Sequence, residues 1–200
     1  ALEPESQNCE AILQAWYPGQ AGGQAVAEVL FGDYNPAGKL PLTFYRNLAQ
    51  IPDFEDYNMT GRTYRYMKEA PLFPFGHGLS YTTFKYGKLK MNDDKIAAGQ
   101  NLNLVIPVTN TGSRDGDEAV QVYLKKMDDT EGPVKTLRAF KRVRIPAGKT
   151  VEVKFSLDDT QLEWWDEQSN TMRVCPGNYT VMIGGTSCEK SLLSRAFTIR

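Results

Sequence analysis

Trp16 and Gln20 stand four residues apart in the run Trp16-Tyr17-Pro18-Gly19-Gln20-Ala21-Gly22-Gly23. An indole face stacks on the apolar side of a sugar ring, and a carboxamide both donates to and accepts from hydroxyls. These two are the candidate substrate-binding residues. The competing expectation is that the loop simply packs against a neighbouring layer. The glycines also invite comparison with a phosphate loop, but that pattern needs Lys and then Ser or Thr after the last glycine. Gln24 and Ala25 stand there instead, so nucleotide binding is not expected.

Carboxylates are the other obvious chemistry. Glycosidic cleavage uses two of them, about 5–5.5 Å apart for retention and wider for inversion. One must stay protonated near neutral pH through burial or a neighbouring charge. Glu3, Glu5, Asp33, Asp53, Glu55 and Asp56 are available, yet their polar settings read as solvated loop charges. No residue of the chain is assigned a catalytic role. His77 is the only histidine, and it lies between glycines in Phe75-Gly76-His77-Gly78 with no G-x-S-x-G elbow nearby. It reads as a turn histidine with structural hydrogen bonds.

Two further tracts have bland readings. In Trp164-Trp165-Asp166, neighbours in an extended chain point to opposite sides, so one indole is expected in a core and the other partly exposed. Lys135, Arg138, Lys141, Arg142 and Arg144 alternate with apolar residues, and Asp128, Asp129 and Glu131 lie close by. That pattern describes a solvated sheet face rather than a polyanion site. Cys9, Cys175 and Cys188 are too scattered for zinc, and they read as buried free thiols, the alternative being a Cys175–Cys188 bridge in an exported parent. Neither a metal nor an organic cofactor is expected.

These residues are positioned by three kinds of chain. Residues 1–46 carry the apolar run Ala11–Trp16, suited to a buried parallel strand, then a helix with Ala25, Val26, Val29 and Leu30 at helical spacing and Gly32 placed to end it. Strand, glycine loop and helix suggest part of an α/β layer that cannot cover a sheet alone. Residues 47–85 are rich in Pro, Gly and aromatics, an extended linker built to pack rather than to swing freely. Residues 86–200 alternate apolar and polar positions, as in Leu102, Leu104, Ile106 and Val108, between turns such as Pro146-Ala147-Gly148 and Pro176-Gly177-Asn178. Short period-2 strands with such turns predict an immunoglobulin-like or fibronectin type III-like β-sandwich. The fold class is thus mainly β, with a partial α/β-sandwich segment and an aromatic linker ahead of the sandwich.

Composition narrows the function classes. Over 200 residues the formal net charge is −1 and the apolar fraction 41%, which fits an ordinary globular chain and neither a nucleic-acid nor a membrane-surface role. No apolar run approaches the roughly 20 residues that span a bilayer. The polar, acidic start Ala1–Glu10 does not read as a secretory leader.

Four blocks, in order, resemble one family. Trp16–Pro41, then Gly61-Arg62-Thr63-Tyr64-Arg65-Tyr66, then Pro74–Tyr81, and finally the sandwich are similar to the second domain and the fibronectin type III-like domain of glycoside hydrolase family 3. The resemblance implies a parent enzyme that hydrolyses terminal, non-reducing β-linked sugars with retention, acting on an oligosaccharide or β-glycoside. It also implies that the nucleophilic aspartate, on an N-terminal barrel, and the acid/base glutamate, early in an α/β domain, both precede Ala1. The chain alone is therefore expected to be inactive and structural. The blocks around Trp16, Asp53–Tyr57 and Gly61–Tyr64 look closer to β-xylosidases than to β-glucosidases. A periplasmic or secreted location follows by resemblance. The alternative is a non-catalytic sandwich module that binds a glycan or a protein.

Overall fold

The computed structural model describes residues 2–200. Four short helices punctuate it: α1 (Glu3–Asn8), α2 (Gly22–Phe31), α3 (Thr63–Tyr66) and α4 (Asp159–Leu162). The strands are β1 (Phe84–Tyr86), β2 (Lys90–Met91), β3 (Lys95–Ile96), β4 (Leu102–Asn110), β5 (Gly116–Lys126) and β6 (Thr136–Ile145). They continue with β7 (Thr150–Leu157), β8 (Trp164–Asp166), β9 (Thr171–Arg173), β10 (Gly177–Gly184) and β11 (Leu193–Ile199).

Two sheets face one another. In the first, β4 pairs with β7 along one edge, and with β1 and β2 end to end along the other. Pro107 explains the break between β1 and β2. Its carbonyl accepts from Gly87 N at 2.8 Å, so the position of its missing N–H faces that same edge and one rung is lost. The second sheet runs β3-β11-β10-β5-β6, with β3 parallel to β11 and the other pairs antiparallel. The strands β8 and β9 form a separate hairpin.

The core follows from period-2 alternation. Leu102, Leu104, Ile106 and Val108 of β4 are fully buried, as are Val120, Val122 and Leu124 of β5 and Tyr179, Val181 and Ile183 of β10. Each buried aliphatic side chain contributes about 1.5–3 kcal/mol by leaving water. The Tyr179 hydroxyl donates to the Cys175 carbonyl at 2.8 Å, which ties the Pro176-Gly177 turn to the strand that it opens. Asn110 is the polar rivet of this core. Its Oδ1 accepts from Thr82 Oγ1 (2.6 Å) and Gly112 N (3.1 Å), and its Nδ2 donates to the carbonyls of Arg114 (2.7 Å) and Ile145 (2.9 Å).

The first part of the chain departs from expectation in one respect. Helix α2 forms and ends at Gly32 in the left-handed region, at φ +80°. Ala11–Trp16, expected as a buried strand, is unpaired and exposed, with Ile12 and Leu13 41% and 45% accessible. A parallel strand needs neighbours to satisfy its N–H and C=O groups, and no described strand lies beside it. Helix α1, with Pro4 in its first turn and acids beside its N-terminus, was not foreseen.

Candidate functional site

Trp16 is half exposed and adopts φ +54°, a region that costs a non-glycine residue about 1–2 kcal/mol. Gln20 is exposed on the same loop. The loop's turn is held by Gly22 N donating to Gly19 O at 3.0 Å. Only one glycine here is sterically required: a Cβ on Gly22 would lie 2.4 Å from Pro18 Cβ, whereas Gly19 and Gly23 face open space. The expected close packing of those two glycines on another layer is therefore not made within this chain.

The candidate acids are occupied or exposed rather than paired. Asp53 Oδ1 accepts from Glu55 N at 3.0 Å, and Asp56 Oδ1 accepts from Asn58 N at 2.9 Å and Asn58 Nδ2 at 2.7 Å. Those bonds hold the Asp56 carboxyl below its ordinary 3.8, the opposite of what a general acid needs. Glu3 faces Arg46 at 3.7 Å. Arg62 fastens this loop, with Nε donating to Asn58 O at 2.9 Å and Nη2 to Asp53 O at 3.2 Å and to Asp56 O. The result is a rigid turn that projects Phe54 and Tyr57, each at least 90% exposed.

His77 serves structure. Its ring stacks on Phe73 at 5.1 Å, and its carbonyl accepts from Leu40 N at 2.8 Å. Burial, and then the charge of Lys39, push its imidazole below 6.5. The thiols are free, but Cys9 is exposed, contrary to the expectation that all were buried, while Cys175 is buried and Cys188 half-buried. The basic tract is also less uniform than expected. Lys135 is buried, 3.4 Å from Glu189, and Arg138 is half-buried with its guanidinium 5.3 Å above the Trp164 ring. Only Lys141, Arg142 and Arg144 behave as a solvated face. Trp164 is buried and Trp165 half exposed, as the extended geometry dictates.

Sequence reasoning missed the set of contacts that weld the first 81 residues to the sandwich. Lys39 Nζ lies 3.2 Å from Glu118 Oε2, and the Tyr86 hydroxyl donates to Glu118 Oε1 at 2.8 Å. Burial and the Glu118 charge raise the Tyr86 phenol above its usual range. Asn35 Nδ2 donates to Asp115 O at 2.9 Å, while its Oδ1 accepts from Ser80 Oγ (2.8 Å) and Tyr81 N (2.7 Å). Gly76, at φ +78°, sits so close to Gln121 that a Cβ would meet Oε1 at 2.2 Å. Beside it Tyr64 stacks on Phe75 at 4.3 Å and meets Tyr123 edge-on at 5.8 Å. Loop residues such as Asn35, Lys39 and Gly76 carry no periodic signal, and the alternation of β5 does not say which loop covers Glu118 and Gln121, so none of these pairings was visible.

The first 81 residues also leave much apolar surface exposed. Three-quarters of the large apolar side chains that stay exposed lie between Ile12 and Tyr81, including Leu30 and Phe31 at the end of α2. Monomers seldom leave such a surface uncovered. Among the described residues no helix is long and apolar enough to cross a membrane, and no cluster of His, Cys, Asp and Glu is arranged to hold a metal.

Comparison with known proteins defines the class. Residues 1–81 match the glycosyl hydrolase family 3 C-terminal domain, and residues 118–187 match the fibronectin type III-like domain. Residues 1–81 thus carry the C-terminal domain of glycoside hydrolase family 3, and the chain as a whole is similar to enzymes that bear these two regions. It is 53% identical, over its whole length, to a xylan 1,4-β-xylosidase from Xylanibacter ruminicola, of which it covers 23%. It is 39% identical to a periplasmic β-glucosidase from Salmonella typhimurium, with 94% of this chain and 26% of the relative aligned. The family 3 β-glucosidase structure from Bifidobacterium adolescentis superposes with a TM-score of 0.85 at 30% identity, covering 100% of this chain and 31% of that one. The chain thus spans about a quarter of the length of the curated relatives that it matches.

Proposed function

We propose that this chain is the C-terminal structural portion of a retaining β-glycosidase, a β-xylosidase in preference to a β-glucosidase, acting on terminal non-reducing β-linked sugars. The observation that carries the reading is the pairing of two features in residues 1–81. They are clamped to the sandwich by Lys39–Glu118, Asn35 and Gly76. They also leave many large apolar side chains exposed, which suits burial under the barrel and the α/β domain of the same enzyme. The preference for xylosides is supported by the 53% identity to the xylosidase, against 39% to the glucosidase.

In this reading residues 1–46 complete the α/β domain, residues 47–85 strap it down, and residues 86–200 form the bracing sandwich. Trp16 and Gln20 reach the rim of the sugar site, and the positive φ of Trp16 is the kind of strain that folds retain where a side chain must be aimed. Both catalytic carboxylates lie on the parts of the enzyme outside this chain. The proposed location is periplasmic or secreted, supported by the periplasmic β-glucosidase among its relatives.

The test is hydrolysis of p-nitrophenyl β-xyloside and β-glucoside by the intact protein and by this chain alone. Turnover by the intact protein, faster on the xyloside, and none by the chain is the expected result. Turnover by the purified chain itself overturns the assignment.

A further inference from the structure

A cleft of about 770 Å³ opens between the β5–β6 connection and the β8–β9 hairpin of the sandwich, with Arg65 and Tyr66 of α3 completing its lining. Three arginines share its lining, and while Arg173 is paired with Asp166, Arg65 and Arg138 are not so matched. Among the described residues neither forms an ion pair. Each has its Nε buried with no acceptor. Arg138 Nη2 donates only to the Glu163 carbonyl, at 2.7 Å, and Arg65 rests 5.6 Å over the Tyr66 ring. Burial and the neighbouring Arg65 charge hold the Arg138 guanidinium below its usual range. Two like charges half removed from water with no carboxylate at ion-pair distance are costly.

The acids of the same cleft do not supply that counter-ion. Asp128 accepts from Asn178 N at 3.0 Å. Asp129 accepts from Trp164 Nε1 and Gly132 N, each at 2.6 Å. Asp166 is tied to Arg173 at 2.7 Å. Glu131 and Glu167 remain free and exposed at the rim, where carboxylates can accept from hydroxyls. Trp165 presents a half-exposed indole beside them.

We propose that this cleft binds an acidic sugar, a hexuronate or a uronate-bearing oligosaccharide, with its carboxylate on Arg65 and Arg138 and its ring against Trp165. A planar guanidinium fork matches a carboxylate, the indole takes the apolar sugar face, and the rim acids accept hydroxyls. The choice of a sugar rests on the glycosidase reading; the need for an anion does not.

The test is calorimetric titration of the intact protein with sodium glucuronate, glucose, sodium acetate and inorganic phosphate. Glucuronate binding that Arg65→Gln and Trp165→Ala each weaken tenfold or more, with p-nitrophenyl glycoside turnover unchanged, is expected. Glucose should show no binding that depends on these residues. Equal glucuronate affinity in the Trp165→Ala protein, whose exposed ring can be removed without disturbing the core, overturns the proposal. Binding of acetate or phosphate as tight as that of glucuronate also overturns it, showing an adventitious ion only. Failure of turnover in the unmodified protein would instead count against the glycosidase reading and leaves the titration interpretable.

Discussion

Lys39 and Glu118 form, among the described residues, the one ion pair that joins the first segment to the sandwich with both side chains shielded, 17% and 6% accessible and 3.2 Å apart. Removing one partner strands the other. Lys39→Met leaves Glu118 with only the Tyr86 hydroxyl, and a loss of about 3 kcal/mol is expected. The double variant Lys39→Met, Glu118→Gln removes both charges and should recover part of that loss. Urea denaturation of the three proteins measures it. Equal stability of the wild type and Lys39→Met would show that the pair contributes nothing.

Gly76 tests the strap. A methyl group there meets Gln121 Oε1 at 2.2 Å, at φ +78°. Gln121 is buried and donates to Gly185 O at 2.6 Å, so it cannot swing aside without losing bonds. Gly76→Ala should cost roughly 2–4 kcal/mol, from left-handed strain plus a displaced buried amide. Gly148 has φ +68° but open space around it, so Gly148→Ala should lose only about 1–2 kcal/mol. Thermal melts of both compare strain with and without a clash. Equal losses would show that Gly76 is kept for its φ alone.

The same contrast explains what was legible in the sequence. Strands β4, β5, β7 and β10 could be read because one face is fully buried, and burial writes itself as alternation. Gly32 could be read because a helix end has its own local chemistry. The clamp of Asn35, Lys39, Gly76, Glu118 and Gln121 could not, because three members sit in loops and Glu118 and Gln121 are polar residues of β5 whose alternation does not say what covers them. Ala11–Trp16 failed for the converse reason. Among the described residues no strand lies beside this apolar run, so its pattern has no sheet here to join. Arg138 was read as exposed from its alternation in β6, yet the β8–β9 hairpin folds over it, a contact that no local pattern contains.

His77 makes a pH prediction. Its imidazole is pushed below 6.5, first by burial and then by Lys39. Below 6.5 the unfolded chain takes up this proton before the folded one does, so stability falls as pH drops through that value and is level above it. The lowered carboxyls of Asp56, Asp115, Asp158 and Asp166 act in a separate window, at and below their ordinary 3.8. Denaturation midpoints between pH 7.5 and 5 should therefore show a slope that His77→Gln removes. A slope that survives the substitution would assign it to other groups.

Trp16 separates aim from packing. Its indole is half exposed while its backbone sits at φ +54°, so the fold holds an unfavourable conformation without burying the ring in return. If the ring contacts sugar in the intact enzyme, Trp16→Ala should raise KM by about 3- to 10-fold, the size of one aromatic contact of about 0.5–1.5 kcal/mol. Gln20→Ala should act in the same direction through a lost hydroxyl bond, and neither change should lower the melting temperature by much. Trp16→Gly relaxes the backbone, since glycine adopts positive φ freely, and should raise stability while losing the same affinity. A fall in stability with KM unchanged would mean instead that the indole packs against the upstream domains and never reaches substrate.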